Sequence, residues 1–88
     1  MTVKVKYYYF LDGTFEGKIW KDEKERYHRE DGPAYESYEG IRKWFKNGKL
    51  HREDGPAIIC NDGNFRYFVN NKKYSKKEYW KEIEKLRE

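Results

Sequence analysis

The sequence predicts a mainly β fold: an antiparallel meander of repeated β-hairpins closed by one C-terminal α-helix. Three observations carry that expectation. A seven-residue word, His28-Arg29-Glu30-Asp31-Gly32-Pro33-Ala34, recurs letter for letter 23 residues later as His51-Arg52-Glu53-Asp54-Gly55-Pro56-Ala57, and a fixed period of that size marks a repeat architecture. Short runs of β-branched and aromatic residues alternate with Gly and Asn turn signals. After residue 74 the apolar spacing changes from that of a strand to that of a helix.

The elements follow in order. Over 3–11, Val3, Val5, Tyr7, Tyr9 and Leu11 alternate with Lys4, Lys6, Tyr8 and Phe10, which is strand periodicity. Asp12-Gly13 signals a hairpin turn, and 14–21 returns with Phe15 and Ile19 on one face. A charged loop spans 22–25. A short strand over 34–38 turns at Glu39-Gly40 into a strand over 41–46. Asn47-Gly48 is the strongest hairpin signal in the chain. A strand over 57–60 turns at Asn61-Asp62-Gly63 into 64–69, and Asn70-Asn71 turns again, since Asn tolerates positive φ. Ser75-Lys76-Lys77-Glu78 is a capping box. It opens a helix over 76–87 that lays Tyr79, Ile83 and Leu86 on the sheet, with Trp80 beside that stripe.

The repeat extends beyond the word. A step of 23 carries Gly40 to Gly63, Trp44 to Tyr67, Phe45 to Phe68 and Asn47 to Asn70. This organises 1–88 as a single domain: a degraded first hairpin unit over 1–26, two repeats over 27–74, and the helix over 75–88. In the degraded unit Gly17 stands 23 before Gly40, but Trp20 is one residue out of register with Trp44. The word reads as a self-bonded connection between hairpins. Pro33 and Pro56 fix φ and remove a donor. Gly32 and Gly55 are expected in conformations costly for other residues. Asp31 and Asp54 can close an Asx-turn, Arg29 and Arg52 can fork onto a carboxylate, and His28 and His51 can each set a ring nitrogen on a backbone carbonyl. Because the word occurs twice, these ten residues are assigned architectural roles.

Asn47-Gly48-Lys49-Leu50-His51-Arg52-Glu53-Asp54-Gly55-Pro56-Ala57 resembles the NGKLHR-x-DGPA repeat of bacteriophage and giant-virus proteins that are described as MORN-like. The resemblance covers residues 26–80, including the ending Asn71-Lys72-Lys73-Tyr74-Ser75-Lys76-Lys77-Glu78. It implies a strand-turn-strand meander acting as a scaffold, in a phage or viral accessory protein that binds and inhibits or redirects a host defence protein. The chain departs from the Gly-x-Gly pattern of true MORN repeats, on which their lipid-binding surfaces are read.

Composition narrows the classes. Eighty-eight residues suit one domain with a thin core. Only 36% of residues are apolar but 19% are aromatic, so a few large rings must supply the buried area. Twenty basic and 16 acidic residues leave a net charge of +4. A single cysteine, Cys60, excludes an intramolecular disulfide framework and favours a reducing compartment. No apolar stretch reaches the length of a membrane span or a signal-peptide core. The expected location is the cytoplasm, without membrane association.

Chemistry is thinly signalled. Two histidines with no Cys or third ligand at ligand spacing predict no metal centre. A His–Asp pair without a nucleophile or phosphate loop predicts no enzyme and no cofactor. Adjacent strand residues face opposite sides, so Trp44-Phe45 and Tyr67-Phe68 put aromatics on both faces, and one helix covers only one. The expected activity is therefore protein binding through an aromatic, charged sheet surface built from Trp44, Tyr67, Arg42 and Lys46, with Lys72, Lys73, Lys76 and Lys77 beside it. Those last two lysines oppose the helix macrodipole. Two alternatives stand. Residues 35–88 hold 13 basic and nine acidic residues, so the basic second half can serve nucleic-acid binding. The repeat can also self-associate into a homo-oligomer as a structural protein.

Overall fold

The computed structural model describes residues 3–87. Met1, Thr2 and Glu88, at the limits of the expected domain, lie outside them. Nine strands precede one helix: β1 Lys4–Tyr9, β2 Phe15–Lys21, β3 Tyr35–Ser37, β4 Arg42–Lys43, β5 Phe45–Lys46, β6 Lys49–Leu50, β7 Ile58–Ile59, β8 Phe65–Val69, β9 Lys72–Tyr74 and α1 Lys76–Leu86. Seven strands form one antiparallel sheet in the order β1-β2-β3-β4-β7-β8-β9, and β5-β6 is a separate hairpin. The fold is the expected meander of hairpins with a C-terminal helix. Its extents are 47 × 33 × 17 Å, the thinness expected of so few apolar residues.

Three hairpins turn on the same loop. Phe10 N donates to Thr14 O and Gly13 N to Phe10 O; the pairs Ser37–Ile41 and Gly40–Ser37, then Cys60–Asn64 and Gly63–Cys60, repeat this. Gly13, Gly40 and Gly63 all have positive φ. Gly13, rather than Gly17, is thus the first-unit counterpart of Gly40. The constant step of 23 selects the wrong glycine because the first arm is longer: Trp20 stands seven positions after Gly13, but Trp44 only four after Gly40. Gly17 lies inside β2 for another reason. A Cβ there would stand 2.6 Å from the Glu36 carbonyl oxygen on β3.

The second turn of each unit explains Trp20. Asn47-Gly48 and Asn70-Asn71 turn with both residues at positive φ, as a tight primed turn requires. In the first unit five residues, Asp22 to Arg26, join the bridged pair Lys21 and Tyr27, where four join the paired Phe45 and Leu50. The extra residue shifts Trp20 out of register. Asp22 is not a loop surface residue as the charge run suggests; it is 3% exposed. Its carboxylate accepts from the amides of Lys24 and Arg26 and from Arg26 Nε at 2.9–3.0 Å. Burial works against the charge, but those donors and the Arg26 cation outweigh it and hold the Asp22 carboxyl below its ordinary value.

The strand expected over 41–46 breaks at Trp44. Trp44 N donates to Ala57 O at 2.8 Å, and His51 N donates to Trp44 O at 3.1 Å. The front half, β4, pairs with β7, and the rear half, β5, pairs with β6. Trp20 makes the same two bonds, to Ala34 O and from His28 N. Both ends of each word are therefore tied to the backbone of the tryptophan before it.

At the C-terminal end Tyr67, Val69, Tyr79 and Ile83 form a buried cluster, with Tyr74 packed against it. Ser75 caps α1: its Oγ accepts from Glu78 N at 3.2 Å and donates to Glu78 Oε1 at 2.8 Å. Leu86, expected on the docked stripe, is exposed; it closes the helix beyond the cluster. The Tyr79 ring lies 4.8 Å from that of Tyr67. Its hydroxyl donates to Arg52 O and accepts from Gly55 N, and Arg87 reaches Glu53 O at 3.1 Å. The helix thus seals the second word from outside. Burial, foremost, pushes the Tyr79 phenol above its ordinary pKa.

Tyr79→Phe keeps the ring but strands the Gly55 amide and the Arg52 carbonyl. Chemical denaturation should show a loss of about 1–3 kcal/mol, the cost of a buried polar group without its partner. An unchanged midpoint would mean that the ring alone docks the helix.

Candidate functional site

The two words are superimposable in their bonding. Arg29 Nε donates to Asp31 Oδ1 at 3.0 Å and Nη1 to Pro33 O at 3.1 Å; Arg52 does the same to Asp54 at 2.8 Å and Pro56 O at 3.0 Å. Each guanidinium lies 3.9 Å over an indole, Arg29 on Trp20 and Arg52 on Trp44. A planar, delocalised cation can stack and fork at once, which an ammonium cannot. The Arg29 amide bonds forward to Phe45 O and the Arg52 amide to Phe68 O. Each word therefore spans two successive units.

Gly32 and Gly55 are not among the residues at positive φ, contrary to the expectation of a conformation closed to other residues. Space is what requires them. An added Cβ would come within 3.0 Å of the Arg29 guanidinium carbon, or 3.1 Å of that of Arg52. The histidines also differ from expectation, since they bond an amide rather than a carbonyl. His28 Nδ1 accepts from Asn47 N at 2.9 Å and His51 Nδ1 accepts from Asn70 N at 3.1 Å. Nδ1 carries the lone pair, so Nε2 carries the proton and gives it to Glu30 at 3.0 Å or Glu53 at 2.8 Å. His28 is 1% exposed. The pairing with His51, above all, holds the Glu53 carboxyl below its ordinary value, and the bond from Arg29 does the same for Asp31.

A groove of ≈ 630 Å³ lies between the two words. Trp44, Phe45 and Lys46 line it, and Glu30, Asp31, Glu53 and Asp54 stand along it. Its cations are engaged: Arg29 and Arg52 as above, and Lys46 with Glu30 at 3.6 Å. Among the described residues no three His, Cys, Asp or Glu side chains come together to hold a metal, and no buried side-chain polar atom lacks a partner. The buried polar side-chain atoms of the words are thus all partnered.

The expected binding residues separate. Trp44 and Lys46 sit in this groove, with Trp44 half-buried under Arg52. Tyr67 is 8% exposed and belongs to the core; it cannot present a ring to a partner, because Tyr79 covers it. Arg42 lies on a second depression of ≈ 410 Å³ with Phe15, Lys18, Glu36 and Tyr38. Lys72, Lys73, Lys76 and Lys77 are exposed on β9 and the helix start, away from both.

The exposed aromatics gather elsewhere, at the first hairpin. Tyr7, Tyr9, Phe10, Phe15 and Tyr38 are all more than a third exposed. Phe15 packs on Tyr7 at 6.4 Å and on Tyr9 at 6.1 Å, and Phe10 meets Tyr38 edge-on at 5.3 Å. Lys18 pairs with Glu36 at 3.3 Å beside them. The signal for this surface was the unbroken run Tyr7-Tyr8-Tyr9-Phe10-Leu11: five large apolar residues in succession cannot all lie on one side of a strand. Compared with family models, curated proteins and solved structures, the chain matches none.

Two outcomes follow from this bonding. Gly55→Val should displace Arg52 from Trp44 and lower the melting temperature by several degrees, whereas Gly63→Asn, at a left-handed position with open space, should change it little. Second, Asp22, Asp31 and Glu53 bind their protons less readily folded than unfolded. Each stabilises the fold above the ordinary carboxylate range and ceases to do so as pH falls through its depressed value. Thermal melts should hold near neutrality and weaken below about pH 4.5. Asp22→Asn should make that acid limb shallower; an identical limb would remove Asp22 from the explanation.

Proposed function

We propose that this chain is a non-catalytic protein-binding module whose partner docks on the aromatic, charged surface of the first hairpin. The observation that carries the reading is the cluster Tyr7, Tyr9, Phe15, Phe10 and Tyr38, exposed together and bordered by Lys18, Glu36 and Arg42. Exposed rings grouped beside an arginine are the usual anchors of binding energy, and contiguous apolar surface on a small domain marks an interaction site. The repeated word supports the reading by elimination of its own chemistry. Its His, Arg and Asp groups are consumed in holding one another, and they repeat as scaffolding does. The resemblance of the word to the NGKLHR-x-DGPA repeat supports the finer form: a phage or giant-virus accessory protein that acts in the host cytoplasm by binding, and inhibiting or redirecting, a host defence protein.

Nucleic-acid binding is the second reading, favoured by the exposed Lys72, Lys73, Lys76 and Lys77 at one corner. The test separates them. The protein is used to capture partners from host extract with and without nuclease, in three forms: unmodified, Phe15→Ser with Tyr38→Ser, and the four lysines replaced by Ser. A stoichiometric partner that survives nuclease, is lost from the aromatic variant by about 2 kcal/mol or more and is kept by the lysine variant supports protein binding. Loss from the lysine variant alone, with steep salt dependence, puts nucleic acid first.

A further inference from the structure

The two ends of the sheet are finished differently. At one end α1 packs over β8 and β9. At the other, β1 is the outer strand and all six of its residues are exposed. The backbone direction along this edge follows from bonds further in. Trp20 N donates to Ala34 O and Trp20 O accepts from His28 N, so Trp20 turns both backbone groups away from β1. Its ladder partner is Val5, and Lys18, two residues before it, pairs with Tyr7. In an antiparallel ladder these are the non-hydrogen-bonded pairs, so Val5 and Tyr7 turn their N–H and C=O groups outward. The edge carries no proline, and its bulge falls only at Tyr8/Tyr9. Its outward N–H and C=O groups are a template for another strand, and Lys4 and Lys6 restrict that strand to one that sets no cation opposite them.

We propose that β1 pairs antiparallel with β1 of a second copy, about a two-fold axis at Tyr7, joining two sheets into one. Charge selects the occupant and the register. A two-fold axis that pairs both Val5 and Tyr7 within residues 3–9 can pass through residue 5, 6 or 7; an axis at Tyr8 sets Val5 opposite Leu11, in the turn beyond β1. An axis at Val5 sets Lys4 opposite the second copy's Lys6, and an axis at Lys6 sets the two Lys6 side chains opposite each other; like charges facing across a ladder are destabilising. An axis at Tyr7 sets Lys6 opposite the second copy's Tyr8, Lys4 opposite its Phe10 and Val5 opposite its Tyr9. Every lysine then meets a ring, a favourable cation–π pairing, and Tyr7 exchanges two main-chain bonds with its twin. The contact is self-complementary, as a closed two-fold dimer demands. It takes up Tyr7, Tyr9 and Phe10 of the aromatic surface above and leaves Phe15, Tyr38 and Arg42 outside the contact.

Sedimentation velocity of the full chain, from low to high micromolar concentration, tests this. The expected result is a monomer–dimer equilibrium. Tyr8→Lys places a cation opposite Lys6 twice per dimer and should raise the dissociation constant at least tenfold, whereas Tyr8→Glu should lower it. Tyr7→Pro removes one outward donor and should leave a folded monomer by circular dichroism. A chain that is monomeric throughout overturns the proposal, and so does a dimer indifferent to the sign of charge at position 8. If that monomer still needs Phe15 and Tyr38 to hold a partner, only the edge pairing falls. If the dimer forms while those two rings prove dispensable, only the binding reading falls.

Discussion

The structure depends on one side chain used twice, the arginine in the second position of the word. Its guanidinium is stacked on a tryptophan, tied at Nε to the aspartate two residues on, and tied at Nη1 to the proline carbonyl four residues on. Those three contacts fold the word back over the indole. The tryptophan backbone receives both ends of the strap, at His51 and at Ala57. Glycine leaves room for the cation, and the alanine that closes the strap is fully buried. A surface ion pair contributes little by itself, but a stacked, forked arginine also buries indole face that would otherwise meet water.

The same frame explains where the repeat ends. Tyr67 occupies the position of Trp20 and Trp44, and Tyr74 that of the two histidines. No third arginine follows. Instead the helix carries Tyr79 onto Tyr67, and the phenol reaches back to the main chain of the second word. One ring thus replaces one guanidinium as the lid, and a terminal unit becomes a cap, as stacked repeats require. The histidines link units in the other direction: each ring accepts the amide at the start of the next unit's Asn turn, tying the word to the hairpin beyond it.

The ends of the array are therefore unequal, and that inequality bears on function. The helical end is closed and its ring is spent on the core. The hairpin end keeps its rings outside, on a molecule whose shortest extent is 17 Å, where few layers are available to cover them. Contiguous apolar surface left at an edge is what the proposed binding reading rests on.

Much of this was legible in the chain. The twice-written word and its spacing determine a repeat, because identical local bonding patterns fold identical connections. Asn47-Gly48 and Asn70-Asn71 determine tight turns through positive φ, and Ser75 with Glu78 determines the helix start through capping. These are local effects, settled within a few residues. Tertiary structure alone decided the rest. That Arg29 and Arg52 lie on Trp20 and Trp44, that Gly32 and Gly55 are needed for space rather than for φ, and that Asp22 is buried all depend on which segments meet. The proposed binding surface differs from the expected one for the same reason. Tyr67 and Trp44 differ little as letters, yet one lies beneath a helix and the other beneath an arginine, while Tyr7, Tyr9 and Phe15 of the first hairpin stay exposed. Burial is a property of neighbours brought from far along the chain, and pattern within a strand does not contain it.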